Sequence, residues 1–173
     1  MQDLNKFNTI PGNMTRVQKI VSHPEFKKSM ESICELEKDR IFCRHGMEHL
    51  LDVSRIAYID NMETGAGYAK DVIYAAGLLH DVGKYLQYTK GIEHHVASEM
   101  IGRRILIDAG FNAKETEEVC EAILAHRKKI SAGEKELKSI LYRADKISRA
   151  CYACEGSNQC NWSEEKKTPG VIA

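Results

Sequence analysis

Net charge is the first thing this sequence lacks, because Lys+Arg and Asp+Glu stand at 25 each. Bulk nucleic-acid binding needs a basic field to displace phosphate counterions, so that class is excluded while a local basic site is not. No run approaches the ~20 apolar residues that cross a bilayer, which excludes a transmembrane helix. The opening residues MQDLNKFNTI have no basic start followed by an apolar block, so no secretory signal is read there and the expected compartment is the cytoplasm. Six cysteines in such a chain are expected to stay reduced or to bind metal. Apolar and polar residues nowhere alternate long enough to make a strand. Proline is scarce, at 3 residues, and most of the 12 glycines fall where helices would separate.

What is present is helical periodicity. At 173 residues, 43% of them apolar and 29% charged, the chain has the size and mixture of one globular domain. A short segment from Met14 to Ser22 precedes a helix that opens on Pro24 and runs to about Asp39, with Phe26, Met30, Ile33, Cys34 and Leu36 at helical spacing. Further stripes predict helices from Gly46 to the Gly65–Gly67 linker, from Lys70 to Asp81, through Val96, Met100, Ile101 and Ile105 to Gly110, from Ala113 to His126, and from Glu134 to Cys151. Between Gly83 and the fourth stripe the spacing predicts a loop. The fold class is therefore all-α, a compact single-domain bundle. Residues 1–39 form N-terminal helices packed on a core of residues 40–150, and a cysteine-rich tail spans 151–173 and is expected to fray.

Polar residues sit where apolar ones belong. His49 lies four before Val53, His80 four after Ala76, His126 four after Ala122 and Asp145 four after Leu141, so four helices each turn a His or Asp inward; Asp81 follows His80 directly. Each buried polar group needs a partner, and a buried carboxylate must be paired or neutralised. No Arg or Lys lies on these stripes as a shared counter-ion. One divalent cation satisfies all of them. Neutral imidazole and carboxylate suit Fe, Mn, Ni, Co or Zn, and a set without thiolate argues against a closed structural zinc site.

Three runs carry a resemblance: Arg44-His45-Gly46-Met47-Glu48-His49-Leu50-Leu51-Asp52-Val53, Ala75-Ala76-Gly77-Leu78-Leu79-His80-Asp81-Val82-Gly83-Lys84 and Arg143-Ala144-Asp145-Lys146-Ile147-Ser148. Together, over roughly 40–149, they resemble the HD superfamily of metal-dependent phosphohydrolases, an all-helical family named for its adjacent His-Asp pair. The resemblance implies His49 as first metal ligand (rather than His45, because Val53 lies four residues on), His80 and Asp81 as the paired ligands, and Asp145 as the closing one. Some members hold a second metal with two more histidines. His94, with the small Ser98 four residues on, and His126 fall in the right order for that, and Asp81 would bridge the two ions.

The reaction implied is cleavage of a phosphate ester or anhydride in a small phosphorylated substrate, a nucleotide or dinucleoside polyphosphate. Asp81, Lys84 and Arg127 are the implied catalytic groups, with Lys84, Arg127 and Arg44 on the substrate phosphates. Family members often carry Arg close before the first His. Gly46 stands three before His49 instead, so Arg44 need not take that part. Two alternatives stay open: a catalytically silent metal-binding regulatory module, and an oxygen-dependent dinuclear-iron enzyme of the same fold.

The tail holds its own pattern. Cys151, Cys154 and Cys160 make Cys-x2-Cys-x5-Cys before Asn161-Trp162, a tetrahedral metal half-site plus one thiolate. Cys43 lies six before His49 and Cys151 six after Asp145, which makes Cys43 the candidate fourth ligand. Structural zinc, a 4Fe–4S cluster and plain reduced thiols all fit that spacing. Cys34 and Cys120 sit on apolar stripes and read as small core residues.

Overall fold

The structure is a computed structural model that describes residues 14–127 and 134–171. Within them lie eight α-helices and no strand: α1 (Thr15–Ser22), α2 (Pro24–Leu36), α3 (Met47–Thr64), α4 (Lys70–Leu79), α5 (Lys84–Lys90), α6 (His94–Ala109), α7 (Ala113–Ala125) and α8 (Leu137–Ile147). The all-α expectation holds. The secretory-signal question at residues 1–10 lies outside the described residues. No described helix is long and apolar enough to cross a membrane.

Composition decides which helix is central. Every residue of α4 from Val72 to Leu79 except Tyr74 is buried, and a helix apolar all round belongs inside. It packs against α1, α3, α6, α7 and α8. Ile73, Leu78 and Leu79 meet Leu50 and Val53 of α3, Ile105 of α6, Ile123 of α7 and Ile140 of α8 in one core. Because α4 runs through the middle, its C-terminus delivers His80 and Asp81 to the interior and not to the surface. Gly83 then fixes the turn. A Cβ there would stand 2.3 Å from the Ser98 nitrogen and 2.6 Å from the Ala97 carbonyl carbon, and the Gly83 N–H donates to Ser98 Oγ at 2.9 Å. This close approach seats the His-Asp turn against the first turn of α6, which carries His94.

The helix starts have local causes. Pro24 opens α2, and the Glu25 N–H donates to the His23 ring. Asn112 and Glu115 form a capping box at the start of α7.

Several expectations need correction. Lys84–Lys90 is a helix where a loop was expected; it buries no residue completely, so it shows no apolar stripe. The buried face of α6 is His94, Ala97, Ser98, Ile101, Gly102, Ile105, Leu106 and Ala109, while Val96 and Met100 are exposed. Small and polar residues line that face because it backs the His-Asp turn. Cys34 and Leu36 lie on the solvent side of α2, and the buried apolar residue beside them is Ile33. Cys120 is buried as expected. Helix α8 stops at Ile147, and the tail continues as 3-10 turns at Cys151–Ala153, Ser157–Gln159 and Glu164–Lys166. Thr168 is buried there and donates to the Lys146 carbonyl, so the tail expected to fray packs back against α8 at that point.

Candidate metal centre

The buried polar groups converge on Asp81. Its Oδ2 lies 3.3 Å from His80 Nε2 and 3.7 Å from His49 Nε2, and its Oδ1 lies 3.4 Å from His94 Nε2. His94 Nε2 stands 3.3 Å from His126 Nε2. Asp145 Oδ1 lies 3.5 Å from His49 Nε2 and 3.8 Å from His80 Nε2. The result is two groups, His49-His80-Asp81 and Asp81-His94-His126, each with its ligand atoms within 4.8 Å of one another and with Asp81 common to both.

Outer contacts settle the tautomers. His80 Nδ1 lies 2.7 Å from the Gly77 carbonyl and His126 Nδ1 lies 2.6 Å from the Ile123 carbonyl; an oxygen that only accepts requires the proton on Nδ1. His94 Nδ1 reaches Gln87 Oε1 at 2.5 Å. The Nε2 lone pairs therefore point inward. Two lone pairs facing across 3.3 Å repel, and a lone pair facing a carboxylate does the same. Both arrangements need a positive charge between the atoms. His80 Nε2 and Asp81 Oδ1 are buried with no hydrogen-bond partner, the mark of a missing electrophile.

The titration behaviour agrees. Burial dominates at His94 and His126 and lowers them to about 3 and about 4, so both stay neutral and able to coordinate. Burial also works against a charged His80, but the carboxylates of Asp81 and Asp145 outweigh it and raise its pKa to about 10. A proton fills the gap there when nothing else does. Burial alone would raise Asp81 and Asp145; the facing histidines hold both well below the usual carboxylate range. Imidazole nitrogens and carboxylate oxygens around one buried centre suit a divalent metal.

The surrounding charges are placed unevenly. Burial lowers the pKa of half-buried Lys84, against the pull of Asp81 and Glu37. Arg127 is exposed and paired with Glu93 at 2.5 Å, beside His94. Arg44 is exposed too, and donates to the Arg40 and Lys38 carbonyls in the loop before α3, away from the cluster.

Two residues at the centre, Arg149 and Glu37, went unread in the sequence, and a third, His45, was set aside in favour of His49. Arg149, 8% exposed, donates to Asp145 Oδ1 at 3.2 Å and stands 3.0 Å from His49 Nε2, which corrects the expectation that no cation serves this core. It follows Asp145 by one helical turn, and that spacing was its only signal. His45 is buried with Nε2 3.9 Å from Asp81 Oδ2, and its Nδ1 is held by buried Glu37 at 2.6 Å. Glu37 also accepts from the His45 backbone N–H at 2.6 Å and from the Tyr88 hydroxyl at 2.5 Å. The four cysteines of the tail pattern line a separate cavity.

With this geometry in view, residues 46–150 match the HD domain family. An "uncharacterized protein" of Clostridium beijerinckii is 40% identical over 154 residues, which cover 89% of this chain and 96% of that one. The crystal structure of a predicted HD superfamily hydrolase from an uncultured Thermotogales bacterium superposes with a TM-score of 0.62 at 19% identity, over 86% of this chain and 82% of the other.

Proposed function

The chain belongs to the HD domain family, and from that premise we propose that it is a metal-dependent phosphohydrolase with a dinuclear centre. The substrate is a small phosphorylated molecule, a nucleotide or dinucleoside polyphosphate. The observation that carries this reading is the sharing of Asp81 between two ligand triads, one oxygen toward His49 and His80 and the other toward His94. One divalent ion would be held by His49, His80, Asp81 and Asp145, and a second by Asp81, His94 and His126. Bound there, such ions supply an activated water near neutral pH and polarise a phosphoryl oxygen.

The chain's own groups do the rest. Lys84, at the start of α5 and one turn beyond Asp81, carries the cation closest in sequence to the His-Asp pair and is placed to meet charge building on phosphoryl oxygens. Arg127 at the rim is neutralised by Glu93, and exchanging that carboxylate for a substrate phosphate keeps its charge paired. Glu37, itself held by the Tyr88 hydroxyl, accepts from His45 Nδ1 and fixes that ring with its Nε2 toward Asp81. Gly77, Ile123 and Gln87 orient His80, His126 and His94.

The test is phosphate release from a panel of nucleoside mono-, di- and triphosphates and dinucleoside polyphosphates, with Mn, Fe, Ni and Co supplied separately and bound metal counted in parallel. Release by one substrate class with at least one of these metals is expected. Metal-loaded protein that releases no phosphate from any of them would return the centre to a silent regulatory role.

A further inference from the structure

A second cluster lies apart from the His/Asp core. Cys43, from the loop before α3, and Cys151, Cys154 and Cys160, from the tail, line one cavity of about 10 Å³, room for a single water-sized occupant. None of the four is in a disulfide. Four partly buried thiols from two distant segments, facing one cavity with no partner oxidised, constitute a built ligand set and not scattered reduced cysteine. Lys167 lines the same cavity with its side chain only 12% exposed, donating to the Ser157 carbonyl at 2.9 Å. Lys167, which also pairs with Glu164 at 2.6 Å, brings one cation to the negative charge that four thiolates and a metal leave behind. The backbone is built to close it as well. A Cβ at Gly156 would stand 2.9 Å from the Ile41 carbonyl oxygen, so the tail packs flat on the loop that carries Cys43.

We propose that Cys43, Cys151, Cys154 and Cys160 ligate a second metal centre that clamps the tail onto the loop before α3. The shared chemistry is tetrathiolate ligation, which zinc and an iron–sulfur cluster both accept. The metal and sulfide content of the purified protein distinguishes the two. The clamp also bears on the core, since Arg149 reaches His49 and Asp145 from the residues just before Cys151.

The proposal stands independently of the phosphohydrolase reading, and the experiment keeps them apart. Full-length protein is purified under anaerobic, reducing conditions and assayed for zinc, iron and acid-labile sulfide, as wild type and as Cys43→Ser, Cys154→Ser, Cys34→Ser, Cys120→Ser and the core variant His80→Ala. Iron with matching sulfide and visible absorption identifies a cluster; about one zinc per chain without sulfide identifies the mononuclear form. Either metal should persist in His80→Ala, Cys34→Ser and Cys120→Ser and be lost in Cys43→Ser and Cys154→Ser. Should those two variants fail to fold, the wild type decides alone: chelation should expose four additional titratable thiols. Wild type that binds only core metal, even after incubation with zinc or with iron and sulfide, or that loses nothing in Cys43→Ser, overturns the proposal.

Discussion

Arg149 sets one guanidinium nitrogen 3.0 Å from His49 Nε2 and 3.2 Å from Asp145 Oδ1, so a fixed protein cation stands between two groups that also face His80. A metal held by His49, His80 and Asp81 competes with it for the same lone pair and sits beside a like charge.

Replacing Arg149 with Gln should therefore tighten metal binding at this triad roughly threefold to tenfold, through ~1 kcal/mol of relieved repulsion at a high effective dielectric. Turnover should fall, since a charge near the phosphoryl oxygens is lost. Titration of metal-free protein with Mn(II), followed by steady-state kinetics, checks both. Weaker metal binding in the variant would mean that Arg149 holds the ligands in place and does not compete for them.

His80→Ala and Asp81→Ala should each remove metal and phosphate release together. Metal at a hundredfold excess over its dissociation constant stabilises the folded state by ~2.7 kcal/mol. Its loss should lower Tm by roughly 5–10 °C in a chain of this size. Chelation of the wild type should produce a similar fall in a calorimetric scan, and activity surviving without metal would sink the assignment.

His94→Ala and His126→Ala bear on the second ion alone. Each should leave one core metal bound and reduce kcat by at least tenfold, because only one side of Asp81 loses its ligands. Elemental analysis beside kinetics decides the matter. One metal in the wild type with full activity in both variants would show the centre to be mononuclear.

The sequence and the structure part company in instructive places. His49, His80, His126 and Asp145 could be read because a ligand on a helix must share the face that the helix buries, so apolar spacing locates it. Arg149 stands one turn after Asp145, inside the helix expected to reach Cys151, yet an arginine there reads as a solvated charge, and only its contacts with His49 and Asp145 bury it. Glu37 sits among Glu35, Leu36 and Lys38 in what reads as an exposed run, and only the return of His45 and Tyr88 from elsewhere in the chain buries it. Helix α5 was invisible for a related reason: it lies between α2 and α6 with Tyr85 and Leu86 only partly covered, so no apolar period marks it.

Glu37→Gln gives a pH test with a definite sign. Burial alone would raise the Glu37 carboxyl, but the bonds from His45 and Tyr88 outweigh it and lower its pKa from 4.5 to about 2. A depressed carboxylate contributes stability that is complete above the unfolded value and is lost as pH falls through the folded one. The variant should thus be less stable than wild type at pH 7, and the gap should close between about pH 4.5 and about pH 2. Urea unfolding of both proteins across that range measures it. A gap that stays constant would place the cost in packing and not in the charge.

The separation of the ligands along the chain also constrains how the molecule assembles. They run from His49 to Asp145, so an unfolded chain must close several long loops before it can offer a metal more than the adjacent His80 and Asp81. The neighbouring pairs α3–α4 and α6–α7 make dense contacts over short sequence distances and are the natural early events. Metal that joins after those pairs have docked contributes little to the folding barrier and much to the unfolding one. The ion then acts less as a template than as a latch, prolonging the lifetime of a fold that the helices have already reached.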